Sequence, residues 1–273
     1  MPFGAEGMMA SGAITAVMIS YAVDSAVAGL ILGSLAGVLM ALLAGVLHIR
    51  YRVHATLAGM AINLLGLAMA SLMLKLVWSA DGYSPSVAAF SSIAATPRLA
   101  WIANIPLIGT LLAGQTFYIF ACIIIIIISW IFVYKSKFGL RLRMVGENPV
   151  AANSVGINTV KYKHLGVMIC GLLSGLAGTF LSLGSMNRFV LDMTAGRGFV
   201  ALVINNVGAS NPLWSALSAL FYGFFDSTQV ALQGSAIPHQ FLMLLPYMFV
   251  LVWCLVSTKR SRGPAGIGKF FDS

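Results

Sequence analysis

Seven stretches of this chain are apolar and long enough, or nearly long enough, to cross a bilayer, at about 8–23, 26–47, 55–78, 111–134, 164–184, 213–232 and 240–257. A hydrocarbon core of about 30 Å needs roughly 20 mainly apolar residues in a helix, and inside it every backbone N–H and C=O must be satisfied by the chain itself. Helices packed on helices are therefore the expected architecture. Of 273 residues 59% are hydrophobic and only 8% charged, so a water-facing surface cannot be assembled. A soluble enzyme, a secreted disulfide scaffold and a disordered tail are all excluded. Cys122, Cys170 and Cys254 sit singly inside apolar runs, which offers neither a metal quartet nor a redox pair. One further apolar stretch, Gly198 to Gly208, reaches only half way across and is expected to be a broken helix or a re-entrant piece lining a cavity.

The net charge of +9 first suggests nucleic acid, but the loops sort it differently. Arg50 and Arg52, then Lys135, Lys137, Arg141, Arg143, Lys161 and Lys163, then Lys259, Arg260, Arg262 and Lys269 make twelve of the sixteen basic residues. If the half-length segment counts as a crossing, all three groups face one side, the cytoplasm, as the positive-inside rule requires. Arg98, Arg188 and Arg197 fall on the other side, with Lys75 near a helix end where it can snorkel. The charge is an orientation signal, and no nucleic-acid partner is expected. No cleavable signal peptide is visible, since the first run leads into further spans.

Small residues recur every four positions at Gly29, Gly33, Gly37, Ala41 and Gly45, and again at Gly171, Ser174, Gly175 and Gly178. Such strips let helices approach closely, and sliding along them during a transport cycle is the alternative use. Polar groups within spans are costly and are functional candidates. Asp226, Gln229 and Gln233 share one helical face, either as a polar stripe along a pathway or as an interhelical hydrogen-bond cluster. Asn205 and Asn206 lie in the half-length segment, and Asn63, Gln115, Phe199, Phe221, Tyr222 and Phe225 could add amide or aromatic contacts to a solute. Glu6 is the other ionisable group of the apolar runs. His48, His54, His164 and His239 pair with no second ligand and read as surface residues. The run GPAGIGKF at 263–270 mimics part of a phosphate-binding loop, but Phe270 replaces the required Ser or Thr, so ATP chemistry must come from elsewhere.

The cytoplasmic loop 138–165 reads FGLRLRMVGENPVAANSVGINTVKYKHL. Asn148 is a good N-cap, Pro149 suits the first helical position, and Gly156 is placed to end the helix in a left-handed conformation. The implied helix, Pro149 to Val155, is too short to be stable alone and must dock.

These residues resemble the cytoplasmic coupling region of ATP-binding-cassette importer permeases, in the subgroup that handles nucleosides, ribose-type sugars and branched-chain amino acids. GAEGMMASGA near the start, GMAINLLGL at 59–67, IPLIGTLLAGQ at 105–115, TAGRGFVAL at 194–202 and NPLWSALSALFYGFFDSTQ at 211–229 extend the likeness almost end to end. The combination of EGMM, GRGF and GFFDSTQ is most similar to the second permease of bacterial purine-nucleoside uptake systems. The resemblance implies one all-α, polytopic permease domain over 1–273, with seven to eight spans in a type II-like bundle. It also implies a cytoplasmic coupling loop at 138–165 and a basic cytoplasmic tail at 258–273, all in a bacterial inner membrane. Glu147, Asn148, Pro149, Val150, Ala151, Ala152, Asn153, Ser154, Val155 and Gly156 would engage a cytosolic ATPase. Asn63, Asn205, Asn206, Phe221, Phe225, Asp226 and Gln229 would line the solute path. No cofactor is expected in the chain itself, since ATP and Mg belong to the partner ATPase. A second permease and an extracytoplasmic solute-binding lipoprotein complete the expected assembly within the lipid bilayer. Such permeases carry at least one more span ahead of EGMM, so a preceding segment is expected to be missing here. The adjacent amides Asn205 and Asn206 stand where relatives are apolar, which is expected to alter what the pore accepts. A self-sufficient secondary transporter is the alternative; Asp226 is thin support for its ion coupling.

Overall fold

A computed structural model describes residues 2–88, 90, 118–233 and 239–257. Gln115, Arg98, the 105–115 motif, the start of the fourth apolar run and the tail 258–273 lie outside them. The described residues form α1 (Ala5–Val23), α2 (Ala26–Gly45), α3 (Ala55–Trp78), α4 (Tyr118–Lys135), α5 (Lys137–Glu147), α6 (Pro149–Ser154), α7 (Thr159–Thr179), α8 (Arg197–Val207), α9 (Pro212–Ala231) and α10 (His239–Ser257). One π-helical turn extends α2 over Val46–Arg50 and a longer one extends α7 over Phe180–Met186. With those extensions, five helices among the described residues are long and apolar enough to cross a membrane: Ala5–Val23, Ala26–Arg50, Ala55–Trp78, Tyr118–Lys135 and Thr159–Met186.

α1 is the hub of the bundle. Its side chains are small on nearly every face, so α2, α3, α7 and α8 all pack against it, and Met8, Ala13, Ile14, Ala16 and Val17 are buried. The two small-residue strips, each expected to admit a close neighbour, pack against one another. A Cβ on Gly37 would lie within 2.7 Å of backbone atoms of Gly171 and Gly175, and one on Gly12 would lie 2.8 Å from the Cα of Gly175. Backbone thus touches backbone along an α1–α2–α7 seam, which gains dispersion contact where lipid offers no hydrophobic driving force. The outward faces of α2 and α3 carry exposed Val27, Leu39, Leu64 and Leu76, as a lipid-facing surface requires. At the end of α3, Lys75 pairs with Asp81 at 2.9 Å in an exposed position.

The half-length segment is a short helix, α8, and irregular chain leads into it. After α7, residues 187–196 run alongside α1 without helical bonds, passing through left-handed conformations at Asn187, Asp192, Ala195 and Gly196. The backbone of 187–191 is paired with the segment 82–90, while the Met193 and Ala195 N–H groups close local turns on Val190 and Asp192. Leu191 N–H donates to the Gly82 carbonyl (2.7 Å), Ser84 N–H to the Phe189 carbonyl (2.9 Å), and Phe189 N–H to the Ser84 hydroxyl (2.9 Å). Phe189 and Met193 are buried with Met9, Val17, Leu74 and Leu183, so this descending segment is part of the core. Non-helical backbone inside an apolar bundle is tolerated only when it is paired in this way.

Candidate functional site: a coupling helix and a broken helix at Glu6

α6 is built as its residues dictate. The Asn148 side chain accepts from Ala151 N–H (3.2 Å), Pro149 occupies the first turn, and Gly156 is left-handed at φ +79°. Gly156 N–H donates to the Asn153 carbonyl and Ile157 N–H to the Ala152 carbonyl, both at 3.0 Å, which is the paired C-terminal closure of a Schellman motif. Val155 is the C-cap rather than the last helical residue. Pro149 and Ala152 are buried against the chain's own helices, whereas Val150 (69% exposed) and Val155 (65%) protrude with Glu147, Ala151, Asn153 and Ser154. Two exposed valines thus stand on a short helix fixed at both ends.

α5 holds the knob in place, and it is a helix where the sequence suggested only loop. Ser136 caps it by accepting from Gly139 N–H (2.9 Å), and the Phe138 ring sits between Phe132 of α4 (5.0 Å) and Tyr162 of α7 (5.2 Å). Arg141 donates to the Tyr162 hydroxyl (3.2 Å), a bond that raises its pKa above the ordinary guanidinium value, and Arg143 lies 4.8 Å from the Tyr134 ring centre. These basic residues therefore brace α5 between two spans.

The second constellation centres on Glu6, which is 4% exposed. Its Oε1 accepts from Gly196 N–H (2.9 Å), at the N-cap of α8, and its Oε2 from Gly198 N–H (2.7 Å), in the first turn. A helix N-terminus carries unsatisfied backbone donors, and the two Glu6 oxygens satisfy two of those at this end. The fit is close: a Cβ on Gly198 would lie 2.5 Å from the Glu6 nitrogen. One residue on, Gly7 packs against Ile62, Asn63 and Gly66 of α3. Asn63 lies eight residues into α3, about 12 Å along its axis. Arg197, between the two glycines that Glu6 holds, is therefore level with this inner part of α3 rather than beyond its end, though its side chain is exposed. That corrects its expected place on the outer side. In the same turn, the Thr194 hydroxyl is buried (1% exposed) and has no hydrogen-bond partner among the described residues.

The expected pathway residues divide. Asn63 is buried, its Oδ1 accepting from Gly7 N–H (2.9 Å) and its Nδ2 donating to the Phe3 carbonyl (2.8 Å), so its amide fastens α1 and the turn just before it to α3. Asn63→Ala should lower stability by about 1–3 kcal/mol by stranding a buried donor and acceptor, read as an earlier melting transition in detergent. Phe221 and Phe225 turn to α10, where their rings pack with Phe249 and Phe221 also stacks on Trp253. Asp226 and Gln229 are half-buried on α9, and the Tyr222 side chain lies within electrostatic range of Asp226 and Arg197. Asn205 and Asn206 are exposed near the end of α8. Arg197 and the structural reach of Glu6 were missed, although GRGF beside a half-length helix was the available signal. Two of the histidines have local partners, His48 Nδ1 at 2.8 Å from the Val53 carbonyl and His164 Nδ1 at 3.0 Å from the Val160 carbonyl. No cluster of three metal-ligating side chains exists among the described residues.

Comparison with known proteins is consistent across the chain. Residues 1–253 match the family described as branched-chain amino acid transport system / permease component. The chain is 30% identical to the nucleoside ABC transporter permease protein NupC of Lactococcus lactis subsp. cremoris, over 97% of this chain and 86% of the relative. It is also 30% identical to the guanosine ABC transporter permease protein NupQ of Bacillus subtilis, over 97% and 85%. A putative glucose ABC transporter permease protein of Haloferax volcanii is 25% identical over 85% and 69%. No solved structure matches.

Proposed function

The chain belongs to the branched-chain amino acid transport permease family, a group of multi-pass membrane transport components rather than enzymes, and from that membership we propose that it forms the solute pathway of an ATP-driven importer of nucleosides. The observation that carries the coupling half of this reading is α6, a two-turn helix capped at both ends with Val150 and Val155 presented outward. A cytosolic ATPase, which would hold ATP and Mg, is the partner whose groove would receive it. A second permease would complete the pathway, an extracytoplasmic solute-binding lipoprotein would deliver the solute, and the C-terminus would face the cytoplasm of a bacterial inner membrane. Closure of the ATPase pair would move α6 and switch the permeases between two discrete packings, a rigid-body transition.

Nucleosides are favoured as solute because two relatives covering nearly all of this chain carry nucleoside or guanosine in their names. A sugar is the second reading, supported by the glucose permease relative. In cells carrying the complete transporter, excess guanosine or adenosine should suppress labelled nucleoside uptake while ribose leaves it unchanged. Suppression by ribose alone would reassign the solute to the sugar class.

A further inference from the structure

Arg197 is the residue on which the broken helix concentrates the most unexplained chemistry. It sits in the first turn of α8 at the depth of Glu6, yet it is exposed, and its guanidinium is directed to the Met193 carbonyl (3.2 Å) and within electrostatic range of Tyr222 on α9. A cation facing hydrocarbon at that depth is costly, so an exposed one is expected to face water, a solute or a polar neighbour. Ala201 and Asn205 follow it at spacings of four and eight, which places all three on one face of α8, and both are exposed. The stripe runs from a guanidinium fork past a methyl-sized notch to an amide, about 12 Å in all. That pattern suits a neutral solute rich in hydrogen-bond acceptors. Purine ring edges pair well with an arginine fork, and ribose hydroxyls with an amide.

Glu6 explains how Arg197 can be held there. Its two oxygens bind the amides on either side of Arg197, at Gly196 and Gly198, so the backbone of Arg197 is fixed from both flanks by a residue of α1. Gly196 is left-handed at φ +76°, and Gly198 has no side chain to keep the carboxylate away. We propose that Arg197 is a solute-contacting residue of the pathway, with Ala201 and Asn205 on the same lining face, and that Glu6 is the residue that positions it. The proposal rests on the importer reading and adds the surface that meets the solute.

Guanosine uptake by the complete transporter in proteoliposomes tests it. Arg197→Gln should raise KM on the order of tenfold to a hundredfold, the loss expected for a charge-assisted hydrogen bond. Glu6→Gln should raise KM in the same direction, and the double variant should be no worse than Arg197→Gln alone, because a positioning residue has nothing left to position. Purely structural damage by Glu6→Gln would instead lower the amount of assembled complex and add to the Arg197 effect. Ala201→Cys, in a chain lacking Cys122, Cys170 and Cys254, should react with a polar thiol reagent and be protected by guanosine, with Arg197 intact. An unchanged KM in Arg197→Gln, or an Ala201→Cys thiol that is unreactive or unprotected while uptake is normal, overturns the proposal. Absence of ATP-dependent uptake by the unaltered transporter would instead refute the importer reading itself.

Discussion

Replacing Pro149–Val155 by a Gly/Ser linker of equal length is expected to abolish ATP-coupled uptake, by at least a hundredfold, while the chain still inserts and binds its second permease. The helix contributes little to the bundle, since it buries only Pro149 and Ala152. It is held by local features, the Asn148 cap and the Gly156 closure, and a flexible linker provides neither. Without Val150 and Val155 in a fixed array, the ATPase has nothing rigid to move. Co-purification of the ATPase measured beside uptake separates lost docking from lost coupling. Normal uptake through the linker variant would remove the basis for calling α6 the coupling element. A milder companion, Gly156→Val, places a β-branched residue in a left-handed conformation and should weaken the helix end by about 1–2 kcal/mol.

The second large effect is expected at the glycine seam. In Gly37→Ala the added Cβ meets the Gly171 carbonyl oxygen and, at 2.7 Å, the Gly175 Cα, both of them backbone that cannot swing aside. α2 and α7 must separate along the whole strip, so the expected loss is about 3 kcal/mol or more, seen as failure to recover monodisperse protein. Gly223→Ala is the matched control. A Cβ there meets nothing within 4 Å, and alanine favours the helix, so that variant should be as stable as the parent or slightly more so. Equal behaviour of the two would show that the seam does not hold the bundle.

What could be read from residues alone was whatever depends on near neighbours in sequence. The cap, proline and glycine of α6 lie within nine positions of one another, and each acts through bonds to the same short helix. The strips at Gly29–Gly45 and Gly171–Gly178 were legible because helical period alone places them on one face. Arg197 was misplaced for the opposite reason. The first part of the segment leading to it is paired with residues 82–90, about a hundred positions away, and its end with Glu6, about 190 positions away. No local pattern announces that a loop will descend into a bundle. Asn63 and the pair Phe221 and Phe225 show a related ambiguity. A buried amide and a ring at helical spacing look the same in sequence whether they face a pore or a neighbouring helix. Here Asn63 holds the start of α1, and the rings join α9 to α10.

The seam of α1, α2 and α7 also has an entropic side. Two leucine-faced helices that associate in a bilayer must each surrender rotamers to interlock, a loss of about 0.5–1 kcal/mol per side chain. Glycine has no rotamers to surrender, and its backbone freedom has already been spent once the helix forms in the membrane. Gly12, Gly33, Gly37, Gly171 and Gly175 therefore dock without freezing any motion of their own, while Leu39, Leu64 and Leu76 keep theirs among the lipid tails. The order of this bundle is concentrated where there was least disorder to lose.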